Sequence, residues 1–297
     1  MDSSKRNAGN RTSIREYTPE KSILDSLWRP GSYIVLGLFS ILTLTPLLWL
    51  ACAAFKNAVD MYTYTFLPYG DSHPTVQNFI DLFVKKNFGR YLLNSFFLTC
   101  TGTSISLILS SLGGFALGKY EFKGKKALTV LMLATMMLPF SVLLAPTYEL
   151  LCHLGLMNSY AGILIPGAVG AFGILLFRQA MLNVPDDLLE AARLDGCSEL
   201  RIYWEIVMPV VRPMSGAFCL MSFMGSWNSF LMPMIVLQSD HLFTVPIALS
   251  QTIGLTGDNQ SGLMMAGTLL GVLPPAVLFF LLQKEFIAGL TAGAVKG

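Results

Sequence analysis

Long stretches of this chain contain no Asp, Glu, Lys or Arg, and that absence constrains the fold more than any other feature. They are Tyr33–Phe55, Tyr91–Gly118, Ala127–Tyr148, Tyr160–Phe177, Met214–Leu237 and Gly262–Leu282. Each is close to the roughly 20 apolar residues that an α-helix needs to cross a bilayer. Charged residues make up only 13% of the chain, against about 25% in soluble domains. The expected fold class is an all-α integral membrane protein with six transmembrane helices.

Positive charge sets the orientation, because Lys and Arg collect on the cytoplasmic side. Of the 20 Lys and Arg, all but Lys56, Lys85, Lys86 and Arg90 fall on the side that carries both termini and the loop 178–212. Both termini are therefore expected in the cytoplasm. The layout that follows is a polar cytoplasmic arm 1–32, a first span 33–55, an outer loop 56–90, a core of five spans over 91–282 and a tail 283–297. The arm lacks an apolar core and a cleavage site, so it is no signal peptide; the first span can act as an uncleaved insertion signal.

The spans hold no Asp, Glu, Lys or Arg away from their ends. Ion-coupled transporters and proton pumps use such groups at mid-membrane, so the energy for any transport must arrive from outside the bundle. Neutral polar residues do gather in the fifth span, at Ser222, Ser226, Trp227, Asn228 and Ser229. An indole beside an amide offers a sugar an apolar face and hydrogen bonds, which makes Ser222, Trp227 and Asn228 candidates for a substrate path. The same groups also suit hydrogen bonds between helices.

In the second span Gly102, Ser106, Ser110, Gly114 and Gly118 recur every fourth residue and form one ridge of small side chains. In lipid such ridges let helix backbones approach closely. Gly267 and Gly271 repeat the device in the last span. Prolines at 46, 139, 146, 166, 233, 274 and 275 interrupt several spans. Each frees carbonyls that neighbouring helices or a wet cavity must satisfy.

The charged stretch from Pro185 to Pro213 stands apart from its apolar surroundings. Pro185 can open a helix, and Asp186 and Asp187 suit the positive end of its dipole. Gly196 is a stop with positive φ, and Ser198 can cap a second helix with Glu199 in its first turn. That helix is expected to end near Met208, ahead of Pro209. On the first helix Leu188, Ala191, Ala192 and Asp195 fall on one face. Glu190 is placed to pair with Arg193 one turn on.

Glu190-Ala191-Ala192, then Gly196, Ile206 and Pro209, resemble the EAA loop of ABC importer permeases, with Met208 where that pattern prefers Leu. Asp195-Gly196 and the tail from Gly289 to Gly297 resemble the second, shorter permease of the maltose-type carbohydrate family, and the resemblance runs from about Tyr33 to the C-terminus. It implies the type I ABC importer permease fold in a bacterial-type inner membrane, with a cytoplasmic EAA coupling helix. The implied partners are a second homologous permease, two cytoplasmic ATPase subunits that bind ATP and Mg, an extracytoplasmic substrate-binding protein and the lipid bilayer. The ATPase-coupling residues it implies are Glu190, Ala191, Ala192, Asp195, Gly196 and Pro209. It also implies that the outer loop 238–261 reaches the binding protein and the tail 289–297 the ATPase pair. Ser229 stands where such permeases often carry an acidic residue after Trp-Asn. The implied cargo is a sugar, with another small solute such as glycerol phosphate as the alternative.

Other features point away from chemistry. Gly113 to Lys119 matches the start of a phosphate-binding P-loop, but Tyr120 follows in place of Ser or Thr and no strand precedes it. The cysteines at 52, 100, 152, 197 and 219 are scattered, which argues against a disulfide framework. His73, His153 and His241 are isolated. No cofactor, metal, nucleic acid or catalysis is expected of this chain. The rival readings are an ion-coupled secondary transporter, disfavoured by the missing mid-membrane charge, and a membrane-embedded enzyme, which lacks a nucleophile, base or metal set.

Overall fold

The computed structural model describes residues 23–68, 72–254 and 261–292, with side chains from 31 to 251 and 261 to 289 outside the break. The arm up to residue 22, part of the outer loop at 255–260 and the tail at 293–297 lie outside the described residues. The described residues up to Trp49 form one compact unit and those from Leu50 onward another.

The first unit is dominated by helix α1, Ile23–Ala54. It begins within the polar arm, earlier than the expected span at Tyr33. Its side chains from Tyr33 to Leu48 are exposed. Ser40, Thr43 and Thr45 turn their hydroxyls back onto carbonyls of their own helix, at 2.7–3.0 Å.

The second unit opens with two short helices, α2 (Asp60–Thr63) and α3 (Gln77–Lys85). Asn87, at φ 53°, then turns the chain into α4, Phe88–Lys119. Asn is one of the few non-glycine residues that enter this left-handed region readily. The third apolar stretch does not form one helix: α5 (Lys125–Met136) and α6 (Phe140–His153) meet at a bend of 102°. Pro139 causes the break, since the residue before a proline is pushed out of helical geometry. The fourth stretch also departs from expectation. It is split by Pro166 and Gly167 into the short α7 (Ala161–Leu164) and α8 (Ala171–Met181).

The charged stretch forms α9 (Asp186–Leu194), then α10 (Glu199–Arg201), a π-helical segment Ile202–Val207 and α11 (Met208–Val210). The arm from Glu199 thus runs through Pro209 instead of stopping at Met208. A proline inside a helix clashes with the carbonyl four residues back, and the wider π turns ahead of Pro209 relieve that crowding. The arm bends by 83° into α12 (Arg212–Trp227). A break at Asn228 leads to α13 (Leu231–Val236), then α14 (Val245–Gly254) and α15 (Ser261–Ala292). Among the described residues three helical segments, Gly31–Ala54, α4 and Ser261–Gly289, are long and apolar enough to cross a membrane, or up to five counting each bent pair as one span.

Within the second unit α4 packs on α8 through the small-residue ridge. A Cβ on Gly114 would sit 2.4 Å from the Phe177 Cβ and 2.7 Å from the Arg178 backbone nitrogen. One on Gly118 would meet the Met181 Cβ at 2.9 Å, and one on Gly173 the Ser110 Oγ at 2.5 Å. Gly102 faces Leu164 of α7 at 3.5 Å. Ser106 and Ser110 are both buried. The last helix uses the same device, Gly267 against Leu249 at 2.8 Å and Gly271 against Val245 at 3.2 Å.

Two apolar cores result. One gathers Phe88, Tyr91, Leu151, Val236 and Val245 around the Phe88 end of α4. The other gathers Phe115, Phe177, Met181, Leu189, Ile202 and Tyr203 around its Lys119 end. The charged elbow is therefore built into the second core, not hung from it as a solvated linker.

Candidate functional site

The elbow is fixed by local backbone chemistry first. Pro185 is extended, and Asp186 and Asp187 occupy the first turn of α9. At the other end Gly196 adopts φ 78°, and the Cys197 N–H reaches back to the Ala192 carbonyl at 3.0 Å. That closure satisfies a terminal carbonyl and needs a left-handed residue, which glycine supplies without strain. The Ser198 hydroxyl accepts from the Arg201 N–H at 3.4 Å, capping α10.

Leu189 and Ala192 are the buried residues of α9. The expected face of Leu188, Ala191, Ala192 and Asp195 is therefore divided. Ala192 turns into the core, while Leu188, Glu190, Ala191 and Asp195 are exposed and Leu194 is 89% exposed. The register is set by Leu189 packing into the same core as Tyr203, one position away from the expected stripe.

Arg193 does not pair with Glu190. Its guanidinium donates to both carboxylate oxygens of Glu199, at 2.8 and 3.3 Å. The turn at Gly196 brings Glu199 back across the helix end, and a two-pronged charge-assisted bond outcompetes a pair on one helix face. Glu199 also accepts a short hydrogen bond from the Tyr120 hydroxyl. The bond from Arg193, then that from Tyr120, holds the Glu199 carboxyl below its ordinary range.

Lys119 makes a second anchor. Its ammonium donates to the Val184 carbonyl at 2.5 Å and to Asp186 at 2.6 Å. Its side chain is 4% exposed, Asp186 74%. The Asp186 carboxyl is lowered by this hydrogen bond. Deeper in, the hydroxyls of Ser111 and Tyr203 hydrogen-bond to each other at 2.7 Å, both buried. None of these cross-element bonds is visible as a sequence pattern: those from Ser111, Lys119 and Tyr120 join residues far apart in the chain, and Arg193–Glu199 needs the turn at Gly196 to form.

The polar residues of the fifth span divide among different tasks. A cavity of about 490 Å³ is lined by the hydroxyl residues Ser95, Thr99, Thr147, Ser222, Ser226, Ser229 and Thr244, by Trp227 and by apolar neighbours, and no ionisable side chain lines it. Asn228 is absent from the lining; its amide donates back to the Met224 carbonyl at 2.8 Å. The Trp227 indole stacks on Phe223 at 5.8 Å, and its N–H donates to the Gly271 carbonyl at 2.9 Å. Gly271 lies four residues before Pro275, which has no N–H to offer. Trp227 thus supplies the donor that this proline removes. Thr244, which the sequence did not single out, lines the cavity with a buried hydroxyl that has no hydrogen-bond partner. Among the described residues no cluster of His, Cys, Asp and Glu could hold a metal ion, and the five cysteines are free.

A helical bundle with long apolar segments, a packed charged elbow and a cavity free of ionisable side chains suits a membrane transport subunit, and the family match makes that class a permease. The chain belongs to the family of binding-protein-dependent transport system inner membrane components, whose profile matches residues 110–290. It is 36% identical over 254 residues to the arabinooligosaccharides transport system permease protein AraQ of Halalkalibacterium halodurans, covering 85% of this chain and 91% of that one. Against the Bacillus subtilis protein of the same name the identity is 35%, covering 92% and 97%. In fold it is similar to a chain in the crystal structure of a bacterial ABC transporter involved in the import of the acidic polysaccharide alginate. The TM-score is 0.80 at 24% identity, covering 91% of this chain and all of that one.

Proposed function

We propose that this chain is the permease subunit of an ATP-driven, binding-protein-dependent sugar importer, forming half of the translocation path. The observation that carries the reading is the elbow: it is anchored through Lys119, Arg193 and Tyr203, yet presents Glu190, Ala191 and Leu194 outward. A second permease completes the path, and two ATPase subunits hold ATP and Mg and drive it. A substrate-binding protein delivers the cargo to the outer loop 238–261. Both termini and the coupling loop 178–212 lie in the cytoplasm, in keeping with the distribution of Lys and Arg. The chain carries out no chemistry of its own.

On this reading α9 seats in a cleft of an ATPase subunit. Glu190 is the polar anchor and Ala191 the close-contact patch. Ala192, Asp195, Gly196 and Pro209 set the shape of the elbow. The similarity to AraQ proteins favours a sugar, and so does a cavity with neutral hydroxyls and no charge. Ser222 and Trp227 wall the path; Asn228 shapes the helix end beside it. In the ridge of Gly102, Ser106, Ser110, Gly114 and Gly118, the Lys119 end serves the intramembrane contact with α8 and Gly102 the contact with α7.

Glu190→Lys and Gly196→Asp test this directly. At Gly196 any side chain must adopt φ 78°, which costs about 1–2 kcal/mol. Both variants are expected to insert normally and to hydrolyse ATP without import in the reconstituted complex. Normal import by both at wild-type abundance would refute the docking role. Failure of the purified chain to retain any ATPase subunit would refute the class of importer.

A further inference from the structure

The elbow's strongest side-chain holds are on α4, although its covalent neighbours are α8 and α12. Four positions at the Lys119 end of α4 engage it: Ser111 through Tyr203, Phe115 through the Tyr203 ring at 5.7 Å, Lys119 through Asp186 and Val184, and Tyr120 through Glu199. Further along the same helix Ser95, Leu98, Thr99 and Gly102 line the cavity.

At its far end α4 holds the loop after α13. Tyr91 donates to Asp240 at 2.7 Å, and Asn94 to the His241 and Phe243 carbonyls at 3.0 and 2.9 Å. The Val245 N–H donates to Ser95 at 2.8 Å. Elbow, cavity and outer loop are thus all attached to one helix of 32 residues without a proline, which spans about 48 Å at 1.5 Å per residue.

The alternative routes are interrupted. The arm enters α12 through an 83° bend, and α5 meets α6 at 102°. The last helix contains Pro274 and Pro275. Backbone contact at Gly114 and Gly118 locks α8 to α4, so those two helices must shift together or lose their packing.

We propose that α4 is the rod that carries motion of the elbow to the cavity and the outer loop, and that Lys119, Tyr120 and the Ser111–Tyr203 hydroxyl pair are the positioning residues that latch it to the elbow. This rests on the docking role given to α9. The latch transmits a push because its Ser111–Tyr203 pair is buried between two packed elements and the 4%-exposed Lys119 side chain grips the Val184 carbonyl, with the exposed bonds to Asp186 and Glu199 at its edge. A latch made of solvated surface charges alone would yield.

The test uses the full reconstituted importer with its binding protein and a transported sugar, and reads sugar imported per ATP hydrolysed. Tyr203→Phe keeps the ring and removes only the hydroxyl. It is expected to lower that ratio about fivefold, the equilibrium factor of one ordinary hydrogen bond, with assembly and hydrolysis retained. Ser111→Ala should match it, and the double variant should be no worse than either single, because both remove the same contact. Lys119→Gln should lower the ratio independently.

A wild-type ratio in both Tyr203→Phe and Lys119→Gln, or losses that multiply in the Ser111–Tyr203 double variant, would overturn the proposal. If Ser111→Ala fails to assemble, Tyr203→Phe and Lys119→Gln decide between them. Glu190→Lys separates the two levels. If it uncouples while the latch variants do not, the rod fails alone; if it leaves coupling intact, the docking role beneath it fails.

Discussion

Helices α1 and α4 are both 32 residues long, yet they have opposite relations to their surroundings. From Tyr33 to Leu48 the side chains of α1 are exposed, and its hydroxyls are turned back onto its own carbonyls. On α4 every turn of the ridge is buried or in close contact, and Tyr91, Asn94, Ser95 and Ser111 reach other elements. In lipid an apolar surface gains little by leaving the solvent, so helices associate through close backbone approach and hydrogen bonds between them. Small and polar residues, not hydrophobicity, mark α4 as the helix that organises the second unit.

The sharpest way to break this contrast is to enlarge a glycine on each helix. At Gly114 even a Cβ would overlap the Phe177 Cβ and the Arg178 backbone, whereas nothing lies within 4 Å of one on Gly37. Overpacking costs about 1–3 kcal/mol, and more where backbone is the obstacle. Gly114→Leu should abolish the cooperative thermal transition of the detergent-solubilised chain, and Gly37→Leu should leave it in place. Equal losses from the two substitutions would mean that the ridge is not what holds α4.

This division was legible in the sequence to different degrees. Five small residues at fourfold spacing announced the packed face of α4, because helical periodicity is a local property that a sequence displays directly. The turn at Gly196 and the cap at Ser198 were legible for the same reason. Partners across elements were not. Arg193 had a plausible mate in Glu190 one turn away, and only the folded turn brings Glu199 into competition. The Leu188 stripe lies one residue from the true one, since Leu189 and Ala192 alike are compatible with either face until the second core is assembled. Trp227 offered both a sugar platform and a bond between helices, and the position of Pro275 relative to Gly271 decides how its N–H is used.

A smaller effect is expected from the hydroxyls. Ser95→Ala would leave the buried Val245 N–H without its acceptor, at about 1–3 kcal/mol. Ser40→Ala removes a bond from the Ser40 hydroxyl to a carbonyl of its own helix and should cost a few tenths of a kcal/mol at most, consistent with the weak effect of such back-bonding. Chemical denaturation in mixed micelles would read both. A loss at Ser40 as large as that at Ser95 would show that α1 is held by a contact of the kind that α4 makes.

The smallest expected effect is ionic and belongs to the elbow and its hold on α4. Lys119 of α4 hydrogen-bonds to Asp186 and Arg193 of α9 to Glu199, so both carboxyls lie below their ordinary values of 3.8 and 4.5. A carboxyl lowered in the folded state contributes fully above its unfolded value and loses that contribution as pH falls through the folded one. Amide protection over Asp186–Arg201, corrected for intrinsic exchange, should therefore stay level from pH 8 to about pH 5 and decline below about pH 4. Protection over Tyr33–Leu48, a stretch with no ionisable group except a tyrosine, should not follow it. Solvent screening at the 74%-exposed Asp186 keeps the change small. Lys119→Gln should flatten the Asp186 share of the profile, because without the ammonium that carboxyl has little reason to ionise differently in the folded and unfolded chain. An elbow whose protection fell between pH 8 and 6 instead would have to be held by some group other than these two carboxylates.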